Sequence, residues 1–215
     1  MRHGGTFLAL LVLAGCSAAP VASTTATSSS ATPTTTTTTT AARPDPALIE
    51  PRLRQAQLPD DVLAPLGYTR NSSGEQKNYT VVLCPGELST DGAMSATRMA
   101  ADWIDRSGFY LHQYSVSYWR VAAAAETVEL SRKALECGTF EYGGTSYTIA
   151  GELSLPQLGA DAQFSYCARN GLESACQLVL SKADLMVSFT YFGADTTAAE
   201  VLETAGRAVV PRLSA

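Results

Sequence analysis

The sequence has few of the residues that do chemistry. Its 215 residues hold two histidines, His3 and His112, and five cysteines. There is no GxSxG elbow, no GxxxxGK[ST] phosphate loop and no GxGxxG turn, so three common ways of holding a nucleophile or a nucleotide are missing. Positive charge is scarce. Fifteen Lys and Arg stand against twenty Asp and Glu, for a net charge of −5, and no Lys/Arg cluster offsets the balance. Nucleic acid and anionic membrane surfaces reward basic patches, so both are poor partners for this chain. No apolar run approaches the ~20 residues that span a bilayer as a helix, and no internal repeat recurs at a solenoid period.

Residues 1–15 have the form of an export signal. Arg2 and His3 give a basic start, and Phe7 to Ala14 is an unbroken apolar run of h-region length. Leu13-Ala14-Gly15-Cys16 follows and resembles the lipobox of bacterial lipoproteins. The resemblance implies cleavage before Cys16 and lipid on its sulfur and amino group. Several acyl chains on one residue meet the two-signal requirement for stable anchoring. Processing would leave His112 as the only histidine. Residues 16–47 form the lipidated start and a tether: 17–42 are almost all Ser, Thr, Ala and Pro, including the run Thr34 to Thr40. Such a stretch has too little apolar surface to offset its ordering entropy. Residues 48–215 suit one domain. The Ala/Pro/Thr-rich style suits an actinobacterial source.

Four cysteines remain: Cys84, Cys137, Cys167 and Cys176. An even number in an exported domain reads as two disulfides. Cys167 and Cys176 flank the turn signal Asn170-Gly171, which places them across a hairpin. Cys84 and Cys137 are left for each other, closing a loop whose entropy is worth roughly 4 kcal/mol. Zinc is the competing use of such thiols, but CxxC spacing is missing, so no metal and no cofactor is expected.

Along the domain, two short helical stretches are expected in 46–66, one starting near Pro59-Asp60-Asp61. A strand follows over 77–84. Ala96, Met99, Ala100, Trp103 and Ile104 recur at helical spacing, so 94–106 is expected to be a helix whose polar side carries Asp102 and Asp105. Residues 109–121 alternate Tyr114, Val116 and Tyr118 with Gln113, Ser115 and Ser117, the pattern of a strand with one buried face. A helix over 122–136 comes next, then strands at 145–153, 163–167, 176–180 and 185–192. The last helix, 198–210, would be capped by Thr197 and Glu200. The sum is an α+β domain: an antiparallel sheet with helices packed on one face and two disulfides.

Ser115-Val116-Ser117-Tyr118, the alanine-rich helix ending at Cys137-Gly138, the run Cys176 to Leu180 and the strand ending at Phe192-Gly193 occur in an order that resembles the extracellular sensor domain of PknH-type mycobacterial kinases. The resemblance covers most of 58–213. It implies the same sheet-and-helix fold, two disulfides and a ligand-binding cleft. Its first bridge corresponds to Cys84 with Cys137. Its second joins the Cys176 position to the place held here by Phe192, so Cys167 stands in as partner.

The functional reading is a non-catalytic, lipid-anchored module on the extracytoplasmic face of the membrane. His112, Tyr114, Tyr118, Tyr147 and Tyr166 are the candidate groove residues, since tyrosine pairs an apolar ring with a polar tip. The partner would be a small or amphiphilic envelope ligand. The alternatives are a scaffold for an envelope protein and a hydrolase that uses His112. Asp102, Asp105, Glu126, Glu129, Glu136 and Glu141 read as solvated surface.

Overall fold

A computed structural model describes residues 45–71, 88–142, 144–171 and 173–214. Cys16, the tether through residue 44, Cys84 and the strand expected at 77–84 lie outside the described residues. Helix α1 (Pro46–Gln55) opens the described chain, with Asp45 Oδ1 accepting from the Ala47 N–H. Among the described residues eight antiparallel strands follow: β1 (Thr69–Asn71), β2 (Met94–Ile104), β3 (Tyr110–Tyr118), β4 (Thr139–Tyr142), β5 (Thr145–Glu152), β6 (Ala162–Arg169), β7 (Ser174–Lys182) and β8 (Leu185–Gly193). They form one sheet in the order β1-β2-β3-β8-β7-β6-β5-β4. Helix α2 (Val121–Arg132) links β3 to β4, and α3 (Asp195–Val209) follows β8. Among the described residues no helix is long and apolar enough to cross a membrane.

The α+β class and the antiparallel sheet match the expectation; the placement of the helices does not. Ile49 and Leu53 of α1 and Val201, Leu202 and Ala205 of α3 pack with Trp103, Leu111, Leu178, Leu180, Val187 and Phe189. Ala123, Ala124 and Val128 of α2 pack with Tyr114, Val116, Phe164, Val179 and Met186. Leu178 and Val179 are neighbours in one strand, so they point to opposite faces. Helices therefore cover both faces. The central strands carry apolar side chains on each side, and one helical layer could not bury both sets.

Strand β3 shows the consequence. Gln113, Ser115 and Ser117, which the alternation assigns to an exposed face, are all fully buried. Each finds a partner from the α1 side. Gln113 Oε1 accepts the Leu58 N–H at 2.9 Å, and its Nε2 donates to the Ala56 carbonyl at 2.9 Å. Gln57 Nε2 donates to Ser115 Oγ at 3.1 Å, and Ser117 Oγ donates to Asp184 Oδ2 at 2.8 Å.

Residues 94–104 are strand and not helix. Their register to β3 shifts between Met94 and Arg98. This irregularity breaks the two-residue period, and the apolar residues fall at spacings that mimic a helix. Beyond it, Met99, Ala101 and Trp103 share one face in regular alternation. The Thr197/Glu200 cap is also absent: α3 begins at Asp195 without a side-chain cap, and Thr197 Oγ1 instead meets the Tyr191 hydroxyl at 2.7 Å. The Pro59-Asp60-Asp61 stretch gives turns and one short 3-10 segment, closed by Gly67 at φ 86°.

Asp184, in the β7–β8 turn, ties the layers together. It accepts both guanidinium nitrogens of Arg52, at 3.0 and 2.6 Å, and the Ser117 hydroxyl. Burial alone would raise its carboxyl, but the hydrogen bonds from Arg52 and Ser117 outweigh burial and hold it below the ordinary carboxylate range. A lowered folded-state pKa gives stability that is complete above the unfolded value and is lost as pH falls through the folded one. Asp184→Asn is therefore expected to cost about 1–2 kcal/mol near pH 7, the pair being half open to solvent. In urea titrations at a series of pH values, the gap from wild type should narrow as pH drops below about 4.

Candidate functional site

All five candidate groove residues lie on the α2 side of the sheet. Tyr114, Tyr118, Tyr147 and Tyr166 belong to the core cluster beneath α2. His112 precedes Tyr114 by two positions on β3 and so shares its face. The register places a row of polar side chains across this face. Asp102 pairs with His112, His112 with Thr190, Thr190 with Gln177, and Gln177 with Tyr166, from β2 to β6.

The row is hydrogen-bonded at both ends. His112 Nδ1 lies 2.5 Å from Asp102 Oδ1. The Tyr166 hydroxyl donates to Gln177 Oε1 at 3.0 Å, and Gln177 Nε2 donates to Thr190 Oγ1 at 3.4 Å. With the Nδ1 proton aimed at the carboxylate, a neutral His112 ring presents Nε2 as an acceptor. That Nε2 is buried and has no partner. Asp102, expected on the solvated side of a helix, is thus the orienting partner of His112.

The next row along the strands pairs Tyr114 with Ser188. Ser188 Oγ and Ser181 Oγ have no hydrogen-bond partner, and the Tyr114 and Tyr118 hydroxyls have none at full hydrogen-bond geometry, with Arg98 close to the first and Thr127 and Thr90 close to the second. Among the described residues eight buried side-chain polar atoms lack a partner, and five of them stand on this one face. Buried polar atoms normally find partners, and leaving one bare costs ~1–3 kcal/mol. Five of the eight therefore fall together on one face.

Burial raises the phenols of Tyr114, Tyr118 and Tyr166 above the ordinary tyrosine value. For Tyr114 the nearby Arg98 guanidinium pulls in the opposite direction, and for Tyr118 the Thr127 and Thr90 hydroxyls do so. All three phenols remain neutral near pH 7.

An aromatic wall closes the other side of His112. Tyr110 stacks on Phe192 with centroids 4.7 Å apart, and Tyr142 stacks on the same ring at 4.9 Å. Tyr147 meets Phe192 edge-on at 6.2 Å and stacks on Phe140 at 5.4 Å. Phe192 pairs with Ala175, and Ala175 with Ala168. The two alanines leave room for the β4–β5 hairpin to fold back over the sheet. Tyr147 and Tyr166 serve packing and internal hydrogen bonding, whereas His112, Tyr114 and Tyr118 keep unpartnered polar tips.

Cys167 and Cys176 are directly opposed on β6 and β7 and form a disulfide with Cα atoms 4.0 Å apart. Asp195 lies near both sulfurs, but sulfurs joined to each other are not thiolate ligands. Cys137 is disulfide-bonded, and the expected pairing with Cys84 lies outside the described residues.

Among solved structures, the chain is similar to the extracellular domain of PknH from Mycobacterium tuberculosis. The TM-score is 0.55 and the identity 13%, over 77% of this chain and 96% of that one. At this identity the likeness is one of fold. No family model matches the chain, and no curated protein matches it.

Proposed function

We propose that this chain is a lipid-anchored, extracytoplasmic binding module that holds a small or amphiphilic envelope ligand on the α2 side of its sheet. The observation that carries the reading is the cluster of unpartnered polar atoms around His112, Tyr114 and Ser188. Such atoms are expensive to keep in a core, and a ligand's polar groups would complete them. The fold likeness to the extracellular part of a kinase is compatible with sensing. The Cys167–Cys176 bridge fits an oxidising compartment. The signal-like residues 1–15 and Cys16 supply the route and the anchor.

A hydrolase is the second reading, because a carboxylate-oriented imidazole with an open Nε2 is how a general base is built. Against it, no hydroxyl is hydrogen-bonded to that nitrogen among the described residues, so base and nucleophile are not coupled. A protein-binding scaffold finds less support. Among the described residues the large exposed apolar ones, Leu48, Ile104 and Val121, are few and come one each from three different elements.

The test is native mass spectrometry of the full chain purified from its own host. A retained small molecule is expected, and a bare mass in repeated preparations would contradict the binding role. A fatty-acid probe should label the wild-type chain and not Cys16→Ser; equal labelling would remove the anchor.

A further inference from the structure

We infer that the face around His112 takes a neutral, hydroxyl-rich group, a sugar ring or the glycosyl head of a lipid. The assignment rests on the binding role proposed above and adds the chemical class of the ligand.

The hydrogen-bonding inventory narrows the choice. His112 Nε2 has no partner, and Asp102 holds the other ring nitrogen, so Nε2 accepts from a ligand when the ring is neutral and donates to it when the ring is charged. The Tyr114 hydroxyl and Ser188 Oγ each donate and accept. A ligand hydroxyl both donates and accepts, so it satisfies all three positions in either state of the ring, whereas a carboxylate or phosphate oxygen can only accept. Charge agrees. The acid and the imidazole are paired with each other, and Arg98 and Asp91 act on Tyr114 in opposite senses. Charged groups of both signs border this face, and neither sign stands there alone.

Size and surroundings fit as well. Tyr114 and Ser188 are directly opposed, and His112 lies two residues along the same strand. Strand geometry puts these side chains about 5 Å apart across the pair and about 7 Å along it. That is the footprint of a single pyranose ring. The Tyr110–Phe192 wall borders His112 and offers apolar surface to the C–H face of a ring or to the first methylenes of an alkyl chain. The most open end of the row is at β2, where the Asp102 and His112 side chains keep 18% and 11% of their exposure.

The experiment titrates the full chain, carrying Cys16→Ser so that no detergent is needed, by calorimetry. The probes are the methyl glycosides of glucose, galactose and mannose, n-octyl glucoside below its micelle concentration, 1-octanol and sodium phosphate. At least one glycoside is expected to bind, and Tyr114→Phe and Ser188→Ala should each weaken it about tenfold with the thermal midpoint maintained. If octyl glucoside binds more than tenfold tighter than methyl glucoside, the source is a lipid headgroup; equal affinities point to a free sugar. Octanol or phosphate binding as tightly as the glycosides would overturn the inference, as would glycoside affinities that ignore both substitutions. If no glycoside binds while the host-purified chain retains another molecule, the glycosyl assignment falls and the binding role stands. If none binds and nothing is retained, both fall.

Discussion

Phe192→Ala is expected to lower the unfolding free energy by about 3–5 kcal/mol, in the range for a buried phenylalanine cut to alanine. The ring is 4% exposed and touches Tyr110, Tyr142 and Tyr147. Its loss would remove three aromatic contacts at once and leave a cavity beside the small Ala175 and Ala168. Because Tyr142 and Tyr147 lie on the β4–β5 hairpin, the damage should be concentrated there. Hydrogen exchange of β4 and β5 amides should accelerate more than that of β7 and β8. Phe192→Leu, which refills most of the volume, should recover more than half of the loss. Equal stability of Phe192→Ala and wild type in urea would mean that the hairpin is held by something other than this ring.

The second large effect is at Gln113. Gln113→Leu conserves approximate volume yet strips the Leu58 N–H and the Ala56 carbonyl of their partners. Both residues are buried. At ~1–3 kcal/mol for each bare group, the cost should be about 2–6 kcal/mol. The chain after α1 is fastened to β3 through this side chain, so α1 should open before the sheet does. Equilibrium urea unfolding followed separately by tryptophan fluorescence and by α1 amide exchange would reveal this as two transitions. A single coincident transition with a loss under about 0.5 kcal/mol would show that water replaces the glutamine without penalty.

Part of this was legible in the residues. Strands β5, β7 and β8 and helices α2 and α3 carry their own periodicity, so their positions follow from local pattern to within a few residues. β2 was not legible, because its irregular register removes the alternation and its alanines suit a helix equally well. β4, four residues long and mostly exposed, has too little pattern to detect. The second helical layer was hidden for a related reason. Serines and a glutamine inside β3 look like an outer face until their partners on α1 and at Asp184 are seen.

The candidate site divides in the same way. Tyrosines and a histidine on one strand face can be read directly from spacing. Asp102 could not be, since assigning 94–106 to a helix turned it towards water. Thr190, Gln177 and Ser188 meet the His112 and Tyr114 rows only through the order β3-β8-β7, and no local pattern encodes the neighbours of a strand. Unpartnered hydroxyls are a property of the folded interior alone.

The central claim is that these hydroxyls are kept for a ligand and not for the fold. It is tested most directly by the unfolding free energy of a Tyr114→Phe/Ser188→Ala double variant, compared with wild type in urea and without ligand. Removing two bare polar groups from a core should leave stability unchanged or raise it by about 1–2 kcal/mol. A loss of 2 kcal/mol or more would show that both hydroxyls are engaged in holding the structure together, and the binding face would lose its basis.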